Sequence, residues 1–443
     1  MHNRYAARRL GGGCHRGALA AAQAITPLTT TSPRTLRNAA VVDAKRIRAD
    51  VGELCGFTDR LPGTDAERRA CNHVAERLRS TGRRATVEPT YVQPQWPVVH
   101  LLTCLLAIVG STIAGAQSLA GFVIVLVAAI SAYLDLSARH YLIRRVPFRR
   151  ASQNVQTLPD EVNGPVVILC ANADAPRTGV IYARTGAAIV NRLGRRFPVV
   201  GAGTRIWFWS IALLLPALGA RLAGFDPGWL AALQLPQTLI LIAACFVLGE
   251  IALSPASPGA NANASGVAAV LDVLRRLDAD PPENLRVEAV VVGAGETTME
   301  GMRAFVRSHR KRLARDATWF ISLESVGRGE PRFLLSQGPA VSLPMDPRLA
   351  GLVDAIDGED GEPRAEPIRD GGTSAAFVAR AYGYKALPLT AREPGRALPE
   401  HHHTPEDTPA ETDPASIAAV AALAADTIRL LDRDLGREPP DPG

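Results

Sequence analysis

Asp174 stands four residues after the apolar run Val166–Cys170 (VVILC), Glu296 four residues after Val287–Val292 (VEAVVV), and Glu324 directly after Trp319–Leu323. His401, His402 and His403 form a triplet ahead of Thr404-Pro405-Glu406-Asp407. Carboxylates and imidazoles exchange protons near neutrality and ligate divalent metals, so these positions are where chemistry could reside. Taken singly, each has an ordinary reading: a solvated carboxylate at a strand end, or an exposed loop triplet followed by common turn and helix-entry residues. Two further stretches, Pro258–Gly266 (PGANANASG) and Asp370–Ser374 (DGGTS), read as loops entering helices, and free N–H groups at such ends attract anions.

The short apolar runs bounded by turn residues read as buried strands, with Ala85–Val92 as another. Helical spacing marks Val42–Phe57, Asp65–Ser80, Ser265–Leu277, Met299–Leu313, Thr373–Tyr382 and Pro414–Leu431. Alternation of the two predicts an α/β domain with a mostly parallel central sheet and helices on both faces. In such sheets chemistry gathers at the carboxyl ends of the strands, which is where Asp174, Glu296 and Glu324 fall.

Four longer apolar runs interrupt this pattern: Val98–Ala116, Leu119–Leu136, Ile206–Leu222 and Leu233–Leu253. Each is long enough to cross the hydrocarbon layer, and the short links between them predict two transmembrane helical hairpins. Arg139, Arg144, Arg145, Arg149, Arg150, Arg192, Arg195, Arg196 and Arg205 lie between spans two and three, whereas the two tips carry only Arg221. This asymmetry predicts tips outside, with the termini and the α/β domain cytoplasmic, in an integral protein of the cell membrane. The expected organisation is a disordered arm at 1–42, domain segments at 43–96, 139–203 and 254–435, hairpins at 97–138 and 204–253, and a disordered tail at 436–443. The arm has no acidic residue and several arginines, a composition that transit-type targeting segments share.

The net charge of +6 comes from arginine, lysine being nearly absent. No nucleic-acid-binding signature accompanies it, so membrane lipid is the expected partner of the charge, and a peptide or membrane protein a further candidate ligand. Six scattered cysteines without a CxxC pair point away from a disulfide framework.

Six segments in order resemble metallopeptidase family 28, the di-zinc aminopeptidases and glutamate carboxypeptidase-like enzymes. They are Arg60–Thr64 (RLPGT), Ala171–Asp174 (ANAD), Pro258–Gly266, Gly293–Gly301 (GAGETTMEG), Leu323–Gly327 (LESVG) and His403–Thr408 (HTPEDT). The resemblance implies two Zn²⁺ bridged by a carboxylate and a water, with a separate carboxylate as general base. Carried over position by position, it puts the first histidine ligand at Asn172, the bridging aspartate at Ala262 and the general base at Gly295. The remaining ligand positions are Glu296, Glu324 and His403, and Asp174 is the carboxylate that would orient the missing histidine. Asn172 is a poor zinc ligand, Ala262 cannot bridge and Gly295 cannot take a proton. At most one weak zinc site survives, on Glu296 and His403. Three function classes follow: a membrane-anchored pseudopeptidase that binds a ligand or partner, an active zinc-dependent exopeptidase, and a membrane protein whose soluble domain is regulatory.

Overall fold

The computed structural model describes residues 33–196, 203–357 and 364–437. Residues 1–32 of the expected arm and 438–443 of the expected tail lie outside the described residues. The described residues from Asp43 onward form one compact unit. Helix α1 (Pro33–Cys55) starts within the segment expected to be an arm, and α2 (Asp65–Ser80) matches its predicted bounds. Thr64 explains where α2 begins: its hydroxyl accepts the Glu67 N–H at 3.2 Å.

Nine strands form a single sheet: β1 (Thr86–Val92), β2 (Arg150–Gln156), β3 (Val166–Asn172), β4 (Arg286–Val292), β5 (Thr318–Leu323), β6 (Glu330–Gln337), β7 (Leu343–Pro344), β8 (Glu366–Arg369) and β9 (Lys385–Arg392). The spatial order is β1-β2-β4-β3-β5-β9-β6-β7, with β8 also paired to β6. The expectation of a mostly parallel sheet needs correction. The central strands β4, β3, β5 and β9 are parallel, but β1–β2, β2–β4, β9–β6 and β6–β7 are antiparallel. The sheet is mixed because β1 and β2 form the two arms of a hairpin whose turn is replaced by residues 93–149. Helices α8 (Ser265–Ala279) and α12 (Pro414–Arg437) pack together on one face, and α9 (Glu300–His309) and α11 (Ala375–Ala381) on the other. The core between them is led by β3, in which every residue is buried, and by Trp319, Phe320 and Ile321 of β5.

The long apolar runs are helices α3 (Trp96–Ile113), α4 (Ser118–Leu136), α6 (Gly203–Leu222) and α7 (Trp229–Leu253). They share a second apolar cluster built on Cys104, Val125, Trp207, Ile211, Leu214 and Leu241. Among the described residues five helices are long and apolar enough to cross a membrane, the fifth being α12. Ile417, Val420, Leu423, Ala424 and Ile428 place α12 in the core of the α/β domain instead.

Both hairpins leave the sheet at one end. Val92 pairs with Arg150 four residues past the point where Asn154 meets Val292, the last residue of β4. The α3–α4 hairpin therefore springs from beyond the carboxyl end of the parallel strands. The second hairpin leaves after β3 and returns through a short two-stranded neck. There Arg177 pairs with Ala256, and backbone bonds join Thr178 to Pro255 and Ser257 to Pro176.

Candidate functional site

The carboxyl ends of β3, β4 and β5 bring Asn172, Asp174, Gly295, Glu296 and Glu324 together, as strand-end chemistry requires. Asp174 is fully buried, and its two oxygens accept the Gly295 N–H at 3.0 Å and the Glu296 N–H at 2.8 Å. The carboxylate expected to orient a histidine instead clamps the turn after β4. Burial pushes it up to about 8, helped by the charge of Glu296 and opposed by those two N–H bonds.

Asn172 lies against Gly295. A Cβ added at Gly295 would stand 2.5 Å from the Asn172 Cγ, so the amide fills the space that any side chain at 295 would need. The Asn172 Oδ1 is buried and has no hydrogen-bond partner among the described residues. Ala262 sits in a π-helical turn (Ala260–Ala264) whose N–H groups are held by Asp407. Its Oδ1 accepts from Asn261 at 2.6 Å and its Oδ2 from Ala262 at 3.1 Å.

Glu296 and His403 do meet, with Oε2 and Nε2 3.7 Å apart. The other Glu296 oxygen accepts the Asn263 amide at 2.9 Å, and burial raises the carboxyl to about 7 against that bond. His403 stacks on His402 at 3.8 Å between ring centres and meets Tyr182 edge-on at 4.8 Å. Burial draws its imidazole down to about 3. Glu324 accepts the Ala375 N–H at 2.9 Å, closing the start of α11, and burial pushes it up to about 8.

Backbone strain marks the same loops. Among the described residues eight non-glycine residues have positive φ, and six of them lie here: Ala294, Thr298, Met299, Ser325, His401 and His403. Such conformations cost free energy and persist where the surroundings over-determine them, commonly at binding and catalytic sites.

Several contributors escaped the sequence reading. Glu67 bonds the Gly63 N–H at 2.8 Å and the Ala294 N–H at 2.7 Å, tying α2 to the turn that carries Glu296. Its signal was the Thr64-x-x-Glu67 spacing of a capping box. Arg60, buried, donates to the carbonyls of Ala173 and Gly259 and joins the end of β3 to the 260–264 turn. Arg60 and Asp407 stood inside motifs already recognised, without a role. Nothing in the local sequence around Tyr182 connects it with His403.

These donors do not fit a pair of zinc ions. A catalytic zinc takes about three protein ligands in tetrahedral array. Here Asp174 accepts two backbone N–H groups and one oxygen of Glu324 accepts another, the bridging position is an alanine and one histidine position is an amide. Among the described residues no three His, Cys, Asp or Glu side chains are grouped to hold a metal ion. The Glu296–His403 pair alone offers one oxygen and one nitrogen.

A buried ionic cluster fixes the first hairpin to this site. Arg144 donates to Asp135 of α4 through Nε (2.8 Å) and Nη2 (2.7 Å), and to Glu300 of α9 through Nη1 (2.9 Å). Arg303 adds a contact to Asp135 at 3.2 Å, and His100 of α3 approaches the same carboxylate at 3.3 Å. Glu300 is the penultimate residue of the Gly293–Gly301 motif, so the cluster ties the hairpin to the segment that carries Glu296. On the second hairpin, Arg205 donates to the Gly338 carbonyl and Trp209 to that of Ala340.

A mixed sheet with helices on both faces and strained loops at its carboxyl edge defines a metallopeptidase-like scaffold. The family model described as Peptidase family M28 matches residues 248–428, from the end of α7 into α12. Among solved structures it is similar to a zinc aminopeptidase from Bacillus subtilis, at 12% identity and a TM-score of 0.50, covering 88% of this chain and 94% of that one. A leucine aminopeptidase precursor from Bacteroides thetaiotaomicron VPI-5482 aligns at 15% identity and a TM-score of 0.49, over 87% and 96% of the two chains. Bacteroides thetaiotaomicron glutaminyl cyclase aligns at 14% identity and 0.49, over 87% and 97%. No curated protein sequence matches the chain.

Proposed function

We propose that this protein is a membrane-anchored member of the M28 scaffold that uses the old catalytic cleft for binding rather than for two-metal hydrolysis. The observation that carries this reading is the packing of Asn172 against Gly295. At the position where the family holds a base, Gly295 has no side chain, and the amide of Asn172 occupies the space that one would need. Ala262 removes the bridge as well. The anchoring part rests on the two apolar hairpins, both rooted at the carboxyl end of the sheet, and the arginine asymmetry supports a cytoplasmic domain. Bound ligands in this reading are lipids, peptides or membrane proteins reached from the bilayer side.

A second reading keeps one metal on Glu296 and His403, favoured by their 3.7 Å approach and by the zinc enzymes whose fold the chain shares. Aminoacyl and dipeptide substrates offered to the purified chain separate the two. The binding reading expects no turnover above buffer with or without added zinc. Zinc-dependent turnover abolished by His403→Ala would establish the second.

A further inference from the structure

A cleft of about 150 Å³ opens beside Glu296, on the side facing the hairpin roots. Leu61, Pro62 and Thr64 form one wall, and Pro94, Gln95 and Trp96, the entry to α3, form another. Arg150 and Arg177 complete it. Arg177 donates to the carbonyl of Ser254, which ends α7, at 2.6 Å. The cleft is thus lined by the first residues of one apolar hairpin and by an arginine bonded to the end of the other.

Among the described residues neither Arg150 nor Arg177 has a carboxylate partner in ion-pair reach. Arg150 is exposed and stacks over Phe148, 5.2 Å from the ring centre. Arg177 is half-buried, and that burial lowers its guanidinium below the ordinary value. Glu296, the cleft's carboxylate, lies on the inner wall, engaged by Asn263 and His403. Two cations against one occupied carboxylate leave the opening positive. Around it the surface is apolar: Tyr91 is 65% exposed, Val146 74% and Phe148 54%, with Arg149 over Tyr91. Exposed aromatic and aliphatic side chains interleaved with arginines at the foot of an apolar helix are the chemistry of a headgroup layer.

We propose that this cleft binds the phosphate-bearing headgroup of an anionic membrane lipid, with Arg150 and Arg177 as its counter-charges. The assignment rests on the membrane-anchored reading above. The volume is below the roughly 300 Å³ at which pockets for whole drug-sized ligands begin, so it admits a headgroup and not a peptide. Arginine forks suit phosphate oxygens, and the acyl chains would run along the apolar face of α3 and α4.

The test uses the full chain purified in detergent and titrated calorimetrically with a short-chain phosphatidylglycerol, a short-chain phosphatidylcholine and glycerol phosphate. Saturable binding of phosphatidylglycerol is expected, with the other two at least tenfold weaker. Arg150→Gln should weaken it about fivefold, and Arg150→Gln with Arg177→Gln roughly tenfold to thirtyfold. Lysine at both positions should recover most of the affinity. Arg150 is exposed, so its single variant remains informative if replacing Arg177 impairs folding. Unchanged affinity in Arg150→Gln, or glycerol phosphate binding as tightly as the lipid, would overturn the proposal. Alkaline extraction of membranes is run beside it. A chain released by that treatment refutes the anchored reading itself, whereas a chain that stays while phosphatidylglycerol fails to bind refutes only the lipid site.

Discussion

Gly295 and Asn172 show at the residue scale how a metal site can be lost without loss of fold. Gly295→Ala introduces a Cβ 2.5 Å from the Asn172 Cγ and should cost about 1–3 kcal/mol by overpacking. Asn172→Ala removes the obstructing amide, so the double variant should be more stable than Gly295→Ala alone in thermal unfolding. Additive losses would place the two side chains apart. Glu67 gives a pH prediction. Burial, with the Asp174 charge behind it, pushes its carboxyl from an ordinary 4.5 to about 8, against the N–H bonds from Ala294 and Gly63. A raised carboxyl favours the folded state while protonated, so this contribution is complete below pH 4.5 and lost as pH rises through about 8. Stability should fall across that window, and Glu67→Gln should flatten the fall. An identical slope in the variant would assign the effect elsewhere.

At the scale of elements, the strands read from sequence are three buried central ones and the edge strand β1. Val166–Asn172 and Arg286–Val292 are flanked by neighbours on both sides and are apolar throughout their inner stretch. Strand β2 (RASQNVQ) was missed because its residues bond to neighbouring strands and to α9 rather than filling the core, Asn154 donating to the Gly301 carbonyl. Strand β9 was hidden by Pro388, which argues against a strand inside a sheet. Its pairing with β6 starts at Leu389, so the missing N–H forfeits no bond on that side. That Asn172, Gly295, Glu296 and Glu324 lie at or just past strand ends was readable from the apolar runs before them. Their new partners were not, because Asp174 reaches the N–H groups of Gly295 and Glu296 only through tertiary folding. The Arg144 cluster was equally invisible, joining residues as far apart as Asp135 and Arg303. Removing Arg144 takes the ion-pair partner from buried Glu300 and leaves Asp135 with Arg303 and His100 alone. Arg144→Ala should therefore cost about 3–5 kcal/mol and make the 139–150 segment open to protease. Wild-type resistance in that variant would show the joint to be dispensable.

For the whole molecule, the shared root of both hairpins at the carboxyl edge of the sheet sets the geometry. Single cysteines at Gly115 and Gly228 should react with an impermeant reagent from outside intact cells, and one at Glu406 only after permeabilisation. A label at residue 406 reachable from outside would reverse the topology. The central proposal is that the metallopeptidase-like cleft binds its ligand without a zinc pair. Zinc content of the purified full chain, measured by elemental analysis after equilibration with micromolar zinc, tests this most directly. The account predicts fewer than about one zinc per chain, rising toward two only when Ala262→Asp and Asn172→His are introduced together. Two zinc ions per unmodified chain, lost in Glu296→Ala with His403→Ala, would contradict it.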